Sequence, residues 1–206
     1  MRKSRLRRGV SSRTARRAGG GAQLVAAIVL VASVVGAQSQ TIEEKASSCG
    51  ACHGEAGIPQ DKTKPMIWGQ QEGYLYLQLR DFKRGTRKND EMSPIAAALE
   101  REDMLALAAY FAQKPWPSLE QARAPAEVAK RALVAIGSVG CTGCHLGEFQ
   151  GDGSVPRLAG QSREYLAKTI ADFRTRERGN NPGMSDLMNA TSEDDLAAIV
   201  EYLAGR

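Results

Sequence analysis

The pattern Cys-x-x-Cys-His occurs twice in the chain, as Cys49-Gly-Ala-Cys52-His53 and as Cys141-Thr-Gly-Cys144-His145, 92 residues apart. The copies sit at equivalent places in a longer repeat. With one gap allowed, Pro65 falls on Pro156, Gly69-Gln70 on Gly160-Gln161, Tyr74-Leu75 on Tyr165-Leu166 and Asp81-Phe82 on Asp172-Phe173. Arg87 falls on Arg178 and Asn89 on Asn180. A second one-residue shift then aligns Met92-Ser93 with Met184-Ser185 and Tyr110 with Tyr202. Ordered identities broken only by single-residue shifts, of the kind loops absorb, indicate a duplicated unit of about 80 residues. Two copies of that length are too few and too long for a solenoid. The repeat predicts two tandem domains, residues 38–114 and 126–206, joined by 115–125. That joint holds Pro115, Pro117 and Pro125, which break helices and stiffen a connection.

Within each unit the apolar spacing is helical, and no alternating strand pattern is present, so the fold class is all-α. Helices are expected over Glu43–Ser48, Glu72–Arg84 and Asp103–Gln113 in the first unit. In the second they are expected over Ala126–Ile136, Arg163–Arg176 and Asp194–Ala204. Ser192 followed by Asp195 is a helix start with acids in the first turn. Only 5% of the residues are aromatic, so a 206-residue chain is short of bulky side chains for its core. Something else must fill the centre.

The formal charge of +5 belongs to one end. Residues 1–37 hold eight basic residues and no acid, leaving 20 basic against 23 acidic in the rest. This excludes a basic nucleic-acid-binding surface on the working part. The basic region runs into the apolar stretch Ala22–Val35 and ends in Val35-Gly36-Ala37-Gln38, a small-residue site with a cut expected after Ala37. That order reads as a secretory signal peptide, with an uncleaved anchor as the other reading. The apolar run is shorter than the roughly 20 residues that span a bilayer. A quarter of the residues are charged, which excludes a polytopic membrane protein. The rest of the chain is expected in the periplasm, associated with the membrane only through partners or an uncleaved leader.

Cys-x-x-Cys-His is the attachment signature of c-type haem. Two thiols three residues apart can each form a thioether to the two vinyl groups on one edge of the macrocycle, and the adjacent His can place its ring nitrogen on the iron. The only two histidines of the chain, His53 and His145, both lie in these motifs. The cofactors expected are two covalently bound haem c groups on Cys49, Cys52, Cys141 and Cys144. A zinc site built from the same four cysteines would need two halves 92 residues apart to converge. A thioredoxin-like disulfide would need a βαβ setting. The haems themselves would account for the low aromatic count.

Each iron needs a further ligand, and no third His exists. Of Met66, Met92, Met104, Met184 and Met188, only Met92 and Met184 coincide in the repeat, each 39 residues after its motif's His. These two are the expected axial ligands; the other three are expected as core filler. His/Met ligation raises a haem's reduction potential. It also fills the sixth position, which favours electron transfer over oxygen or peroxide chemistry.

With these motifs, and with Pro65-x-x-x-Gly69-Gln70 and Pro156-x-x-x-Gly160-Gln161, residues 41–206 resemble the dihaem class I cytochromes c of the cytochrome c4 family. The resemblance implies two cytochrome c folds packed together, haem edges close enough for intramolecular transfer, and no catalytic residues of their own. It implies a periplasmic carrier passing single electrons between a respiratory reductase, such as a cytochrome bc1-type donor, and a terminal oxidase, through transient contacts. It also implies that Trp68 stands near a haem propionate, whereas Ala159 occupies the matching place in the second unit. The alternatives are a haem c subunit of a larger dehydrogenase, such as a flavocytochrome sulfide dehydrogenase, and a dihaem peroxidase.

Overall fold

The computed structural model describes residues 40–206; the basic and apolar leader, with its expected cut after Ala37, lies outside the described residues. Nine helices follow one another there: α1 Ile42–His53, α2 Glu72–Arg84, α3 Met92–Ala97, α4 Arg101–Ala112, α5 Ala126–Val139, α6 Thr142–His145, α7 Arg163–Arg174, α8 Pro182–Ala190 and α9 Glu193–Ala204. Among the described residues there is no strand, only an isolated antiparallel bridge between Asp152 and Val155.

The ends of these helices are written in local chemistry. The Thr41 hydroxyl accepts from the Glu44 N–H while the Glu44 carboxylate accepts from the Thr41 N–H, a reciprocal cap. Ser192 accepts from the Asp195 N–H at 3.2 Å, and Glu193, Asp194 and Asp195 place negative charge at the positive end of α9. Asn181 caps α8, with Pro182 at its first helical position, where a missing N–H costs nothing. Gly85 ends α2 in the left-handed conformation, after Lys83 and Arg84.

Packing repeats as faithfully as sequence does. In the first half α4 lies on α1 and α2, and α3 on α2; in the second α9 lies on α5 and α7, and α8 on α7. The first core gathers Ala46, Leu75, Leu107, Ala108 and Phe111. The second gathers Ala132, Ile136, Leu166, Ile199, Val200 and Leu203, with Phe149. Leu75 and Leu166, Leu107 and Ile199, and Phe111 and Leu203 are repeat equivalents. Each such buried side chain contributes about 1.5–3 kcal/mol. Met66, Met104 and Met188 are all buried, in keeping with the filler role expected of them.

The halves meet through reciprocal hydrogen bonds. The Gln161 amide accepts from the Met66 N–H and donates to the Met66 carbonyl, both at 3.0 Å. Gln70 does the same to Arg157, at 2.7 and 3.0 Å. Gln70 and Gln161 are equivalent, as are Met66 and Arg157, so the contact has local two-fold character within a single chain. Arg87 likewise donates to the Tyr165 hydroxyl at 3.3 Å, and Arg178 to the Tyr74 hydroxyl at 3.0 Å. The connecting segment 115–125 has no regular structure but is packed down. Its Gln121 amide donates to the carbonyls of Gln161 and Ala204 and accepts from the Arg163 N–H.

Three features depart from expectation. The first motif lies inside α1 rather than after a shorter helix. The second is cut off from α5 by Gly140, whose φ of 78° ends the helix and starts a fresh turn, α6. Ser48 is its equivalent in the first half, and there the helix runs on. Helices α3 and α8 were not expected. Finally, the second shift in the repeat comes earlier. Asn89 and Asn181, not Asn180, are the structural equivalents, because these two cap Met92 and Met184.

Candidate functional site

His53 and His145 close their helices and are buried, 7% and 6% exposed. Each ring fixes its Nδ1 on a backbone carbonyl, His53 on Pro65 at 2.8 Å and His145 on Pro156 at 3.0 Å. A carbonyl only accepts, so Nδ1 carries the proton and Nε2 keeps its lone pair for a metal. Burial pushes the pKa of both histidines down, which holds the rings neutral, as ligation requires. Pro65 and Pro156 are repeat equivalents, so the same bond from ring to backbone is built twice.

The thiols are arranged for attachment rather than for pairing. Cys49 and Cys141 are half-buried against their cores, and Cys52 and Cys144 are exposed. All four are free, so neither motif is a disulfide. Burial raises the pKa of Cys49 and Cys141 above the ordinary thiol value. Among the described residues no group of three or more His, Cys, Asp and Glu side chains converges as a metal cage, which removes the zinc reading. Two free thiols three apart, followed by a neutral imidazole with one nitrogen committed, fit covalent haem c in both halves. A surface cleft of about 460 Å³ between α5 and the start of α9, lined by Arg131, Val134, Ser138 and Thr191, contains no motif residue.

Met92 and Met184 occupy matching places at the starts of α3 and α8, each half-buried. The Met92 N–H donates to the Asn89 side chain at 2.8 Å, and the Met184 N–H to the Asn181 side chain at 3.2 Å. Glu91, beside Met92, forms an ion pair with Lys64, which precedes the Pro65 that holds His53. The Glu91 charge acts on the His53 ring, so the Met92 segment and His53 share one neighbourhood. Met184 packs against Phe173, Met188 and Leu196.

Trp68 is half-buried on the first core, in the cluster that also takes in Cys49. A Cβ built on Gly57 would stand 2.7 Å from its ring, so only glycine fits there, at a φ of 80°. In the second half Ala159 replaces Trp68 and Phe149 replaces Gly57. Phe149 keeps a positive φ of 54°, is 2% exposed and packs with Ala159 in the second core. Bulk has been exchanged between two facing positions. The loop after His145 is therefore more than a solvated connection. It buries Phe149, and its Gly153 carbonyl accepts from the Tyr74 N–H of the other half.

Sequence reasoning gave no role to Gln70, Gln161, Tyr74, Tyr165, Arg87 and Arg178. All six stood out as identities between the copies. Polar residues retained in both copies were the available signal, and the structure places all six at the seam between the halves.

A cytochrome c family model matches residues 134–206. Cytochrome c4 of Azotobacter vinelandii is 37% identical over 181 residues, covering 78% of this chain and 85% of the relative. A thiosulfate dehydrogenase electron acceptor of Stutzerimonas stutzeri is 34% identical, covering 87% and 91%. The crystal structure of reduced recombinant cytochrome c4 from Pseudomonas stutzeri superposes with a TM-score of 0.70 at 31% identity, covering 80% of this chain and 96% of that one.

Proposed function

The chain belongs to the cytochrome c4 family of electron carriers, and on that footing we propose that it shuttles single electrons in the periplasm between a respiratory donor, such as a bc1-type complex, and a terminal oxidase. Two haem c groups are its covalently bound cofactors, and when bound they supply a one-electron iron couple. The residues do the rest. In residues 38–114, Cys49 and Cys52 tether the cofactor and His53 and Met92 ligate the iron. In 126–206, Cys141, Cys144, His145 and Met184 do the same, with 115–125 holding the two units together. The carrying observation is a pair of supports built twice: each His ring is held by a proline carbonyl, and the N–H of each Met by an asparagine side chain.

His53, Met92, His145 and Met184 would tune the potential of the groups they hold, together with burial, and the protein would make and break no substrate bonds. Partner contacts are small and transient, under about 1,200 Å². Among the described residues no helix is long and apolar enough to cross a membrane. Replacing Met92 or Met184 by His should lower one of two potentials markedly while both haems stay attached. A mediated redox titration measures this, and an unchanged pair of potentials would defeat the ligand assignment.

The relative named as a thiosulfate dehydrogenase electron acceptor supports a second reading, in which the donor is a soluble dehydrogenase and the chain its acceptor or haem subunit. Stable co-purification with such an enzyme would favour the subunit form. A free red protein reduced in brief encounters would favour the shuttle.

A further inference from the structure

The segment that holds His53 and the segment that presents Met92 are fastened to each other, and their counterparts in the second half are not. The fastening is the ion pair between Lys64 and Glu91. Each stands one residue ahead of a group the site uses: Lys64 ahead of Pro65, whose carbonyl accepts from His53, and Glu91 ahead of Met92. Their repeat equivalents are Val155, ahead of Pro156, and Gly183, ahead of Met184, and neither carries a charge. Among the described residues no hydrogen bond or salt bridge joins the segment around Val155 to the start of α8.

Both ends of the pair are rooted. The Lys64 N–H donates to the Asp61 carbonyl at 3.0 Å, and the Asp61 carboxylate accepts from the Thr63 N–H at 2.9 Å and from the Thr63 hydroxyl at 2.7 Å. That carboxylate also stands 4.0 Å from the Lys64 ammonium. On the other side one oxygen, Asn89 Oδ1, accepts from the Glu91 N–H at 3.1 Å and from the Met92 N–H at 2.8 Å. A pull on Glu91 is therefore a pull on Met92. The Lys64 side chain is only 21% exposed, so pairing costs it less freedom than it would cost a fully solvated lysine. Both charges act on the His53 ring, whereas His145 feels burial and its proline carbonyl.

We propose that Lys64 and Glu91 are positioning residues for Met92. They clasp the thioether side of the first site to its imidazole side, so that Met92 leaves its iron more slowly than Met184 leaves the other. The inference rests on the ligand reading above. It makes the second half the one that opens first to a small neutral ligand with a nitrogen lone pair, a class that suits iron.

The test is ligand exchange on the fully oxidised, full-length holoprotein, with imidazole as the probe. One sulfur–iron bond breaks, one nitrogen–iron bond forms, and no electron is transferred. At saturating imidazole, the decay of the sulfur-to-iron charge-transfer band reads the release of each methionine. Two phases of equal amplitude are expected. Lys64→Gln and Glu91→Gln should each speed the slower phase by about two- to fivefold, the range of a partly shielded surface pair, and leave the faster phase alone. The double variant should be no faster than either single one, because each already removes the whole pair. Lys64→Arg keeps the charge and should keep the wild-type slow phase. Sodium chloride at about 1 M, where the screening length falls to about 3 Å, should speed the slower phase in wild type but not in the Gln variants. Midpoint potentials separate a clasp from a mere charge near the iron. Lys64→Gln leaves Glu91 uncompensated and should lower the first potential, and Glu91→Gln should raise it. The two variants thus shift the potential in opposite directions and the release rate in the same one. A single phase in wild type, unchanged slow phases in both Gln variants, or release rates that move oppositely like the potentials would overturn the clasp. A band missing for either haem before imidazole is added would overturn the ligand reading and the clasp with it, and so is told apart from failure of the clasp alone.

Discussion

The exchange of bulk between Gly57/Trp68 and Phe149/Ala159 shows how two copies of one site diverge without losing volume. Phe149 accepts a backbone conformation that costs an L-residue roughly 1–2 kcal/mol, and it does so to fill the space an indole fills in the other half. Gly57→Ala combines that backbone cost with a Cβ 2.7 Å from the Trp68 ring. It should destabilise the protein by about 2 kcal/mol or more, read as a lower denaturant midpoint. Phe149→Ala should cost about 3 kcal/mol, the low end for such truncations, because residue 149 keeps its positive φ. Restoring the first-half pair in the second half, Phe149→Gly with Ala159→Trp, should recover part of that loss. Strict additivity of the two single effects would show that the positions do not face each other. The covalent chemistry was legible residue by residue, since the tether and its ligand lie within five positions of the chain. The exchange was not, because it depends on two loops brought together in space.

Helices with continuous apolar faces, α2, α4, α7 and α9, were legible to within two residues at each end. The two that hold the proposed methionine ligands were not. They are short, and α3 has little apolar face, although Asn181-Pro182 is a start signal that spacing alone overlooks. Their caps make these helices testable. Asn89→Ala and Asn181→Ala should each cost about 1 kcal/mol. Each should also make the sulfur–iron band of its own haem disappear at a lower temperature than in the parent. Ser192→Ala should cost a similar amount by unwinding the start of α9, with no change in that band. The α9 start also sets an acid limit. The pKa of Asp195 is held below the ordinary 3.8 by the Ser192 hydroxyl and then by Arg131. Its depressed value means that its contribution is fully present above the unfolded pKa and is lost as pH falls through the folded one. Asp195→Asn should flatten the loss of stability in that acid window, which thermal melts against pH would register.

The molecule is held as a pair by contacts that no local reading of sequence reveals, since their partners lie 78 to 104 residues apart. Gln161 is 2% exposed and satisfies two backbone groups of the opposite half. Gln161→Ala would leave both unpaired and should cost about 2–4 kcal/mol. Gln70→Ala should behave alike. Unfolding followed separately at the two haems should then lose its coincidence, because the halves would no longer melt together. The central claim is that each half holds its iron between imidazole and thioether sulfur. The most direct test is the near-infrared spectrum of the fully oxidised protein, scaled to haem content. Two haems per chain, each contributing a sulfur-to-iron charge-transfer band, is the predicted result. A band for only one haem, or for neither, would contradict it.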